Sequence, residues 1–330
     1  MKLMSFSKIT MITASTVALS SAAFAQEVTL RMGVVTPTDH PHSISAREFA
    51  RLVEEKTGGE VAVSVSDNGA LGSNPELLDA VQTGIIHFTV STPGVMAEYS
   101  SAMGILELPY VFQSIDHMKA VTRGDVGIQM GADYQDATGV EVLGYFGGAQ
   151  RNMITTDATI NGVEDLEGLK MRTWEWNVML DWWSGLGALG SVVAFPEVYT
   201  ALQTGVVDGA ENEFTTFTTA RWAEVAKNVS LTQHSITVRP LVGNAAALAG
   251  LSDEHQAAIR EAALEAADFD VALEGELDMK NMAALAEDYD VVFTEPDKGP
   301  LIEASAAVVT NFAAENGLED LAVAIAAAAE

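Results

Sequence analysis

The stretch Lys170-Met-Arg-Thr-Trp-Glu-Trp176 sets one arginine two and four residues ahead of tryptophans. Side chains two apart on an extended segment project the same way, so Arg172, Trp174 and Trp176 are expected to share a face. A guanidinium matches the two oxygens of a carboxylate in a planar, charge-assisted fork. Bordered by aromatic rings, it would grip a small organic acid by its negative end. The competing reading is a packed edge whose arginine answers a nearby glutamate. A second arginine, Arg151, closes the glycine-rich run Phe146-Gly-Gly-Ala-Gln-Arg151, and Asn212 stands where it can orient an anion.

Other candidate chemistry is weaker. His40 and His42 sit beside Asp39, but a loop pair with no third ligand at metal spacing does not predict a metal site. Gly185-Leu-Gly-Ala-Leu-Gly190 spells a dinucleotide fingerprint, yet it follows a helix over 177–184 instead of a strand, so the glycines read as a helix terminator. Asp208 and Glu211 are close enough to pair as acid and base, which makes an exported hydrolase the alternative function. No nucleophile, base and oxyanion site assemble together, and no cofactor motif is present.

The elements that must position these residues follow from periodicity. Residues 28–35 read as a strand, 43–56 as a helix, and 61–65 as a second strand. Helices and short apolar runs then alternate to about residue 240, the pattern of an α/β chain with mostly parallel sheets. One unit occurs twice: Pro75-Glu-Leu-Leu-Asp-Ala-Val-Gln-Thr-Gly-Ile-Ile-His87 and Pro196-Glu-Val-Tyr-Thr-Ala-Leu-Gln-Thr-Gly-Val-Val-Asp208. Proline opens a helix, Gly84 or Gly205 closes it, and a short strand follows. Two similarly built domains are expected. Ligands of such sheets bind beyond the carboxyl ends of strands, which points to Ser91-Thr92 in one unit and Asn212-Glu213 in the other. A helix without proline runs over 253–287, capped by Ser252 and long enough to brace both domains. A short strand at 291–294 and two alanine-rich helices complete the chain.

Composition narrows the function. The chain carries 46 acidic and 17 basic residues, a net charge of −29, so nucleic acid and anionic membranes are poor partners. Residues 1–25, with Lys2 and Lys8, an apolar core and Ala23-Phe24-Ala25, read as a cleavable export signal. Without a single cysteine, an exported chain depends on a large core, for which its length suffices.

The central block, Lys170-Met-Arg-Thr-Trp-Glu-Trp176, then Ala194-Phe-Pro-Glu-Val-Tyr-Thr-Ala-Leu-Gln-Thr-Gly-Val-Val-Asp-Gly-Ala-Glu-Asn212, then Arg221-Trp-Ala-Glu-Val-Ala-Lys-Asn-Val-Ser-Leu-Thr-Gln-His-Ser235, resembles the solute-binding proteins of tripartite ATP-independent periplasmic (TRAP) transporters, dicarboxylate-binding type. The likeness spans the whole mature chain. It implies a two-lobed periplasmic binding fold with a long helix spanning both lobes. The implied boundaries are 26–148 plus 238–277 for lobe I and 149–237 plus 278–330 for lobe II, with crossings near Gly148 and Thr237. It implies a periplasmic monomer, not an enzyme, that captures a carboxylate and passes it to two integral membrane subunits driven by a sodium gradient. By the same likeness, Arg172 pairs with the carboxylate, Asn212 reaches the ligand and Arg151 offers a second positive pole. Relatives that bind sialic acid tend to carry an acid where Thr92 stands, which argues against a sugar acid bearing an amide and many hydroxyls. Trp174 and Phe214 replace smaller family residues and are expected to flank the ligand. Thr92 and His40 complete the expected binding set. An acid with an aromatic or cyclic body is favoured over a short keto or hydroxy acid.

Overall fold

The computed structural model describes residues 28–329, and the expected export signal lies outside them. Nine strands form one sheet: β1 (Val28–Gly33), β2 (Val61–Ser66), β3 (Phe88–Val90), β4 (Val140–Thr155), β5 (Lys170–Thr173), β6 (Leu189–Val192), β7 (Gly209–Asn212), β8 (Asn228–Asn244) and β9 (Val292–Thr294). Their order is β2-β1-β3-β8-β4-β7-β5-β6, with β9 also paired to β8. Each wing is parallel, as expected: β1 with β2 and β3, and β5 with β6 and β7. The centre is not. The long strands β4 and β8 run antiparallel through both wings and fuse them. Alternation of short strands and helices foretells the wings, whereas two strands that each serve both wings leave no such trace.

The repeated unit folds as one design used twice. Helix Asn74–Gln82 and helix Val198–Gln203 each end before a glycine in the left-handed region, Gly84 at φ 74° and Gly205 at φ 71°, and each feeds a strand, β3 or β7. The helix that follows the Arg172 segment runs Val178–Gly185, and Gly187 at φ 83° turns the chain into β6, so the glycine string terminates a helix.

Between the wings β4 loses register opposite β8 at Gly147/Gln150. Gly147 and Gly148 have φ of 110° and 124°. A Cβ on Gly147 would lie 2.1 Å from the Thr237 carbonyl oxygen, so only glycine fits this bulge.

Helix Asp253–Asp288 starts at Ser252, whose hydroxyl accepts the His255 N–H at 3.2 Å. It packs on helix Pro41–Lys56, on β4 and on helix Phe214–Thr219, and so touches both wings. Its buried face changes character along its length. Ala258, Ala262, Ala263, Ala266 and Ala267 pack close against one wing, and then Asp270, Glu274 and Asp278 occupy the same stripe where the chain crosses.

Candidate functional site

The strands β1, β3, β5 and β7 all deliver their carboxyl ends to one cleft. Val34–Thr36 and His40 arrive from β1, Thr92 from β3, Arg172 and Trp174 from β5, and Asn212, Glu213 and Thr216 from β7. The crossing strands add Arg151 and Arg239 from their middles. The cleft is open to solvent, with a cavity volume of about 40 Å³. A roomier groove between helices Asp125–Thr138 and Asp253–Asp288 is mostly small and apolar, and its arginine, Arg123, is engaged by Asp268.

Three arginines meet at the cleft with different obligations. Arg151 donates through Nε and Nη2 to the two carboxylate oxygens of Glu211, both at 2.7 Å, and its Nη1 stands 3.6 Å from Glu213. Burial works against its charge, but Glu211 more than compensates and raises its pKa. Burial likewise opposes the Glu211 charge, yet Arg151 and His234, whose Nε2 lies 3.0 Å away, hold that carboxyl well below its usual range. Arg239 donates to Glu107 at 2.8 Å. Arg172 is as buried as Arg151, at 2 % exposure. Its Nε donates to the Val193 carbonyl at 2.9 Å. No carboxylate lies within ion-pair distance of it among the described residues, and burial pushes its pKa down to about 10. It is a buried cation with no carboxylate partner among the described residues, a costly arrangement for a fold to keep by itself.

Further donors face the same space. Arg151 Nη1 and Trp174 Nε1 are buried with no hydrogen bond among the described residues, as is the acceptor Asn74 Oδ1. Asn212 Oδ1 accepts the Glu213 N–H at 3.3 Å, which leaves its amide N–H groups for a ligand. The Arg151 guanidinium lies 5.3 Å from the Trp174 ring centroid, fixing that ring from one side.

The remaining expected residues divide. Thr92 lines the cleft, but its hydroxyl caps the next helix, accepting the Val95 N–H at 3.4 Å. His40 also lines it with both ring nitrogens engaged. Nδ1 accepts the His42 N–H at 3.2 Å, so the proton sits on Nε2, 3.2 Å from Glu213 Oε1 and 3.1 Å from Thr216. Burial holds this imidazole neutral. Glu213 also accepts from Thr237 at 3.0 Å, so His40 ties the first wing to a hub in the second.

Two expectations need correction. Phe214 turns away from the cleft and packs on Phe217 and Phe293, at centroid distances of 6.3 and 6.0 Å. It opens a helix, and its ring falls on the core side of that helix. Trp176 does not share a strand face with Arg172, because β5 ends at Thr173 and the Trp176 N–H folds back to the Trp174 carbonyl at 2.7 Å. Its ring packs edge-on against Phe312 at 5.7 Å.

Arg239 was not foreseen, and neither was Glu213 as a hub. A lone cation inside the apolar 17-residue strand β8 was the available signal, but a rule built on strand ends does not look at strand middles.

Helix Asp253–Asp288 places three buried acids where the strands cross between the wings. Asp270 Oδ2 accepts the Gly147 N–H at 2.7 Å, Glu274 Oε2 the Ala149 N–H at 3.3 Å, and Asp278 Oδ1 the Thr215 N–H at 3.0 Å. Burial pushes Asp270 up to about 7, Glu274 to about 8 and Asp278 to about 7.

Residues 32–316 match the family model described as bacterial extracellular solute-binding protein, family 7. The chain belongs to this family. A solute-binding protein of Sulfitobacter sp. strain NAS-14.1 is 30% identical over 311 residues, 94% of each chain. The crystal structure of a TRAP periplasmic solute binding protein from Roseobacter denitrificans with bound β-D-glucuronate superimposes with a TM-score of 0.87 at 31% identity, over 91% of this chain and 99% of that one. One from Sulfitobacter sp. NAS-14.1 with bound β-D-galacturonate gives 0.87 at 31% identity, over 90% and 99%. The fold is therefore the two-lobed periplasmic binding fold, and this solute-binding protein serves transport, not catalysis. The hydrolase reading fails on geometry as well. Glu211 is locked between Arg151 and His234, whereas Asp208 accepts the Lys170 N–H at 2.9 Å on the other side of the strand register. No described helix is long and apolar enough to cross a membrane.

Proposed function

We propose that this solute-binding protein captures a cyclic sugar acid of the uronate class, clamping its carboxylate on Arg172. The observation that carries the reading is the buried Arg172 guanidinium, which lines the cleft without a carboxylate of its own. The bound glucuronate and galacturonate of the two similar structures are acids of the expected cyclic kind. Asn212, Arg151 Nη1 and Trp174 Nε1 would serve the carboxylate and ring hydroxyls, with Asn74 as an acceptor. Val34, Val90, Trp174 and Phe195 still offer apolar surface on which a ring can lie, and the free donors favour a hydroxylated one. Two charged hydrogen bonds at about 1.5–3 kcal/mol each fall short of the roughly 8 kcal/mol of a micromolar site, so the hydroxyl contacts supply the rest.

In this reading lobe I (26–148 plus 238–277) and lobe II (149–237 plus 278–330) close at the β4 and β8 crossings. Closure removes water from the Arg172 contact and strengthens it. The monomer then presents the closed form to two sodium-driven membrane subunits. Residues 1–25 are removed on export, which the intact mass of the periplasmic protein checks.

Calorimetry with D-glucuronate, D-galacturonate, D-glucose and cyclohexanecarboxylate tests the ligand class. Binding of a uronate with no heat from glucose supports it. Binding of cyclohexanecarboxylate more tightly than either uronate overturns the sugar-acid assignment, and equal binding of glucose overturns the carboxylate clamp.

A further inference from the structure

His42 Nε2, Asp270 Oδ1 and Glu274 Oε1 are all buried, and none has a hydrogen bond among the described residues. They come from two helices far apart in sequence, yet the three donor atoms lie within 4.8 Å of one another. Each carboxylate has one oxygen committed and one free. Asp270 Oδ2 takes the Gly147 N–H and Glu274 Oε2 takes the Ala149 N–H, which aims Oδ1 and Oε1 at the imidazole. Backbone bonds that orient a carboxylate in this way are the usual support of a metal ligand.

The spacing is informative. His42 Nε2 stands 3.4 Å from Glu274 Oε1, beyond the roughly 2.9 Å of an ordinary N–H···O bond. Donors bound to one tetrahedral ion at about 2.0–2.2 Å are about 3.3–3.6 Å apart. Burial of two carboxylates side by side is costly unless protons or a cation neutralise them, and a divalent ion balances two carboxylates and a neutral imidazole. The nearby guanidinium groups do not fill this role, since Arg239 is spent on Glu107 and Arg151 on Glu211.

We propose that His42, Asp270 and Glu274 form a binding site for a first-row divalent cation, of the Zn²⁺ or Mn²⁺ type, at the hinge of the two lobes. One imidazole nitrogen with two carboxylate oxygens suits these ions better than Mg²⁺ or Ca²⁺, which prefer all-oxygen shells. The ion would join helix Pro41–Lys56 to helix Asp253–Asp288 and, through the two backbone bonds, fix the Gly147–Ala149 bulge of β4. His42 also lines the cleft that holds Arg172, but none of the three groups bonds to Arg172, and the metal site does not depend on the identity of the organic ligand.

The test uses the mature protein produced without a histidine tag. Elemental analysis before and after chelation is followed by thermal melts of the stripped protein with added Zn²⁺ or Mn²⁺ and no organic acid. About one ion per chain, with a melting temperature that rises on adding the metal, is expected. His42→Gln and Glu274→Gln should each lose both uptake and the thermal rise, whereas His255→Gln at the surface should keep them. If His42→Gln fails to fold, Glu274→Gln carries the comparison, because its amide keeps the shape of the side chain. Stripped protein whose melt ignores both ions overturns the site, as does undiminished uptake by Glu274→Gln. Those outcomes leave uronate binding untouched, so the two readings fail separately.

Discussion

Arg151, midway along β4, and Arg172, near the end of β5, are equally buried and line the same cleft, yet only the first has a carboxylate of the protein's own. Arg151 is part of the scaffold. Its charge is matched by Glu211 and steadied by His234, and one nitrogen remains for a guest. Arg172 is held by a single carbonyl and pays the desolvation cost of its charge alone. A buried ion pair is matched within the fold, whereas the lone buried cation is what the proposed carboxylate would match. The acidic surface sharpens the point. With a net charge of −29, long-range attraction does not bring an anion in, so affinity has to come from contacts made inside.

The largest effect should follow from Arg172→Ala. Loss of two charged hydrogen bonds should weaken uronate binding about 100-fold to 10,000-fold by calorimetry. The ligand-free variant should melt at or above the wild-type temperature, since an uncompensated buried charge has been removed. A ligand-free melt several degrees lower would place Arg172 in the scaffold with Arg151 and erase the contrast. Glu211→Gln probes the other arm. It leaves Arg151 buried with only Glu213, 3.6 Å from Nη1, as a carboxylate partner, which should cost up to about 3–5 kcal/mol of stability in urea denaturation. If its midpoint stays at the wild-type value, the pair is not what holds β4 to β7.

Gly147→Ala moves the comparison to the hinge. The added methyl meets the Thr237 carbonyl, and alanine tolerates φ of 110° poorly, so the variant should lose about 1–3 kcal/mol. Closure should suffer with it, and ligand affinity should drop more than in a surface control such as Arg221→Ala, whose exposed side chain pairs with Glu224 and lies over Tyr199. Equal affinity in the two variants would show that the bulge does not take part in closing.

The difference between the arginines was partly legible in the sequence. The repeated proline-to-glycine unit placed two strand ends in register, and both Thr92 and Asn212 do line the cleft. Arg172 was found by its tryptophan neighbours, although the shared face that suggested it holds only as far as Thr173. Phe214 shows where the method stopped. Its position two residues after Asn212 says nothing about which side of a new helix its ring will take. The long strands β4 and β8 were opaque for a different reason. Their residues serve two wings, so no single burial period runs along them, and Arg239 stayed hidden. In so acidic a chain nothing in the sequence marks which acids of helix Asp253–Asp288 turn inward, and only the packing of that helix shows Asp270, Glu274 and Asp278 inside.

Asp278 provides the mildest probe, and it tests whether the hinge acids are as dry as the Arg172 pocket. Burial raises its folded pKa to about 7 from an ordinary 3.8, with Glu213 and Glu274 adding repulsion while the Thr215 N–H and hydroxyl oppose the shift. The folded protein therefore keeps a proton that the unfolded chain releases between about pH 4 and pH 7. The resulting stability is complete below the unfolded pKa and is lost as pH rises through the folded one. Asp278→Asn does not titrate but still accepts the Thr215 N–H. Relative to wild type in chelator-containing buffer, it should gain stability from pH 5 to about pH 7 and level off above that. A stability difference that stays flat across that range would mean that solvent reaches Asp278, and that the hinge, unlike the arginine cleft, holds its charges in water.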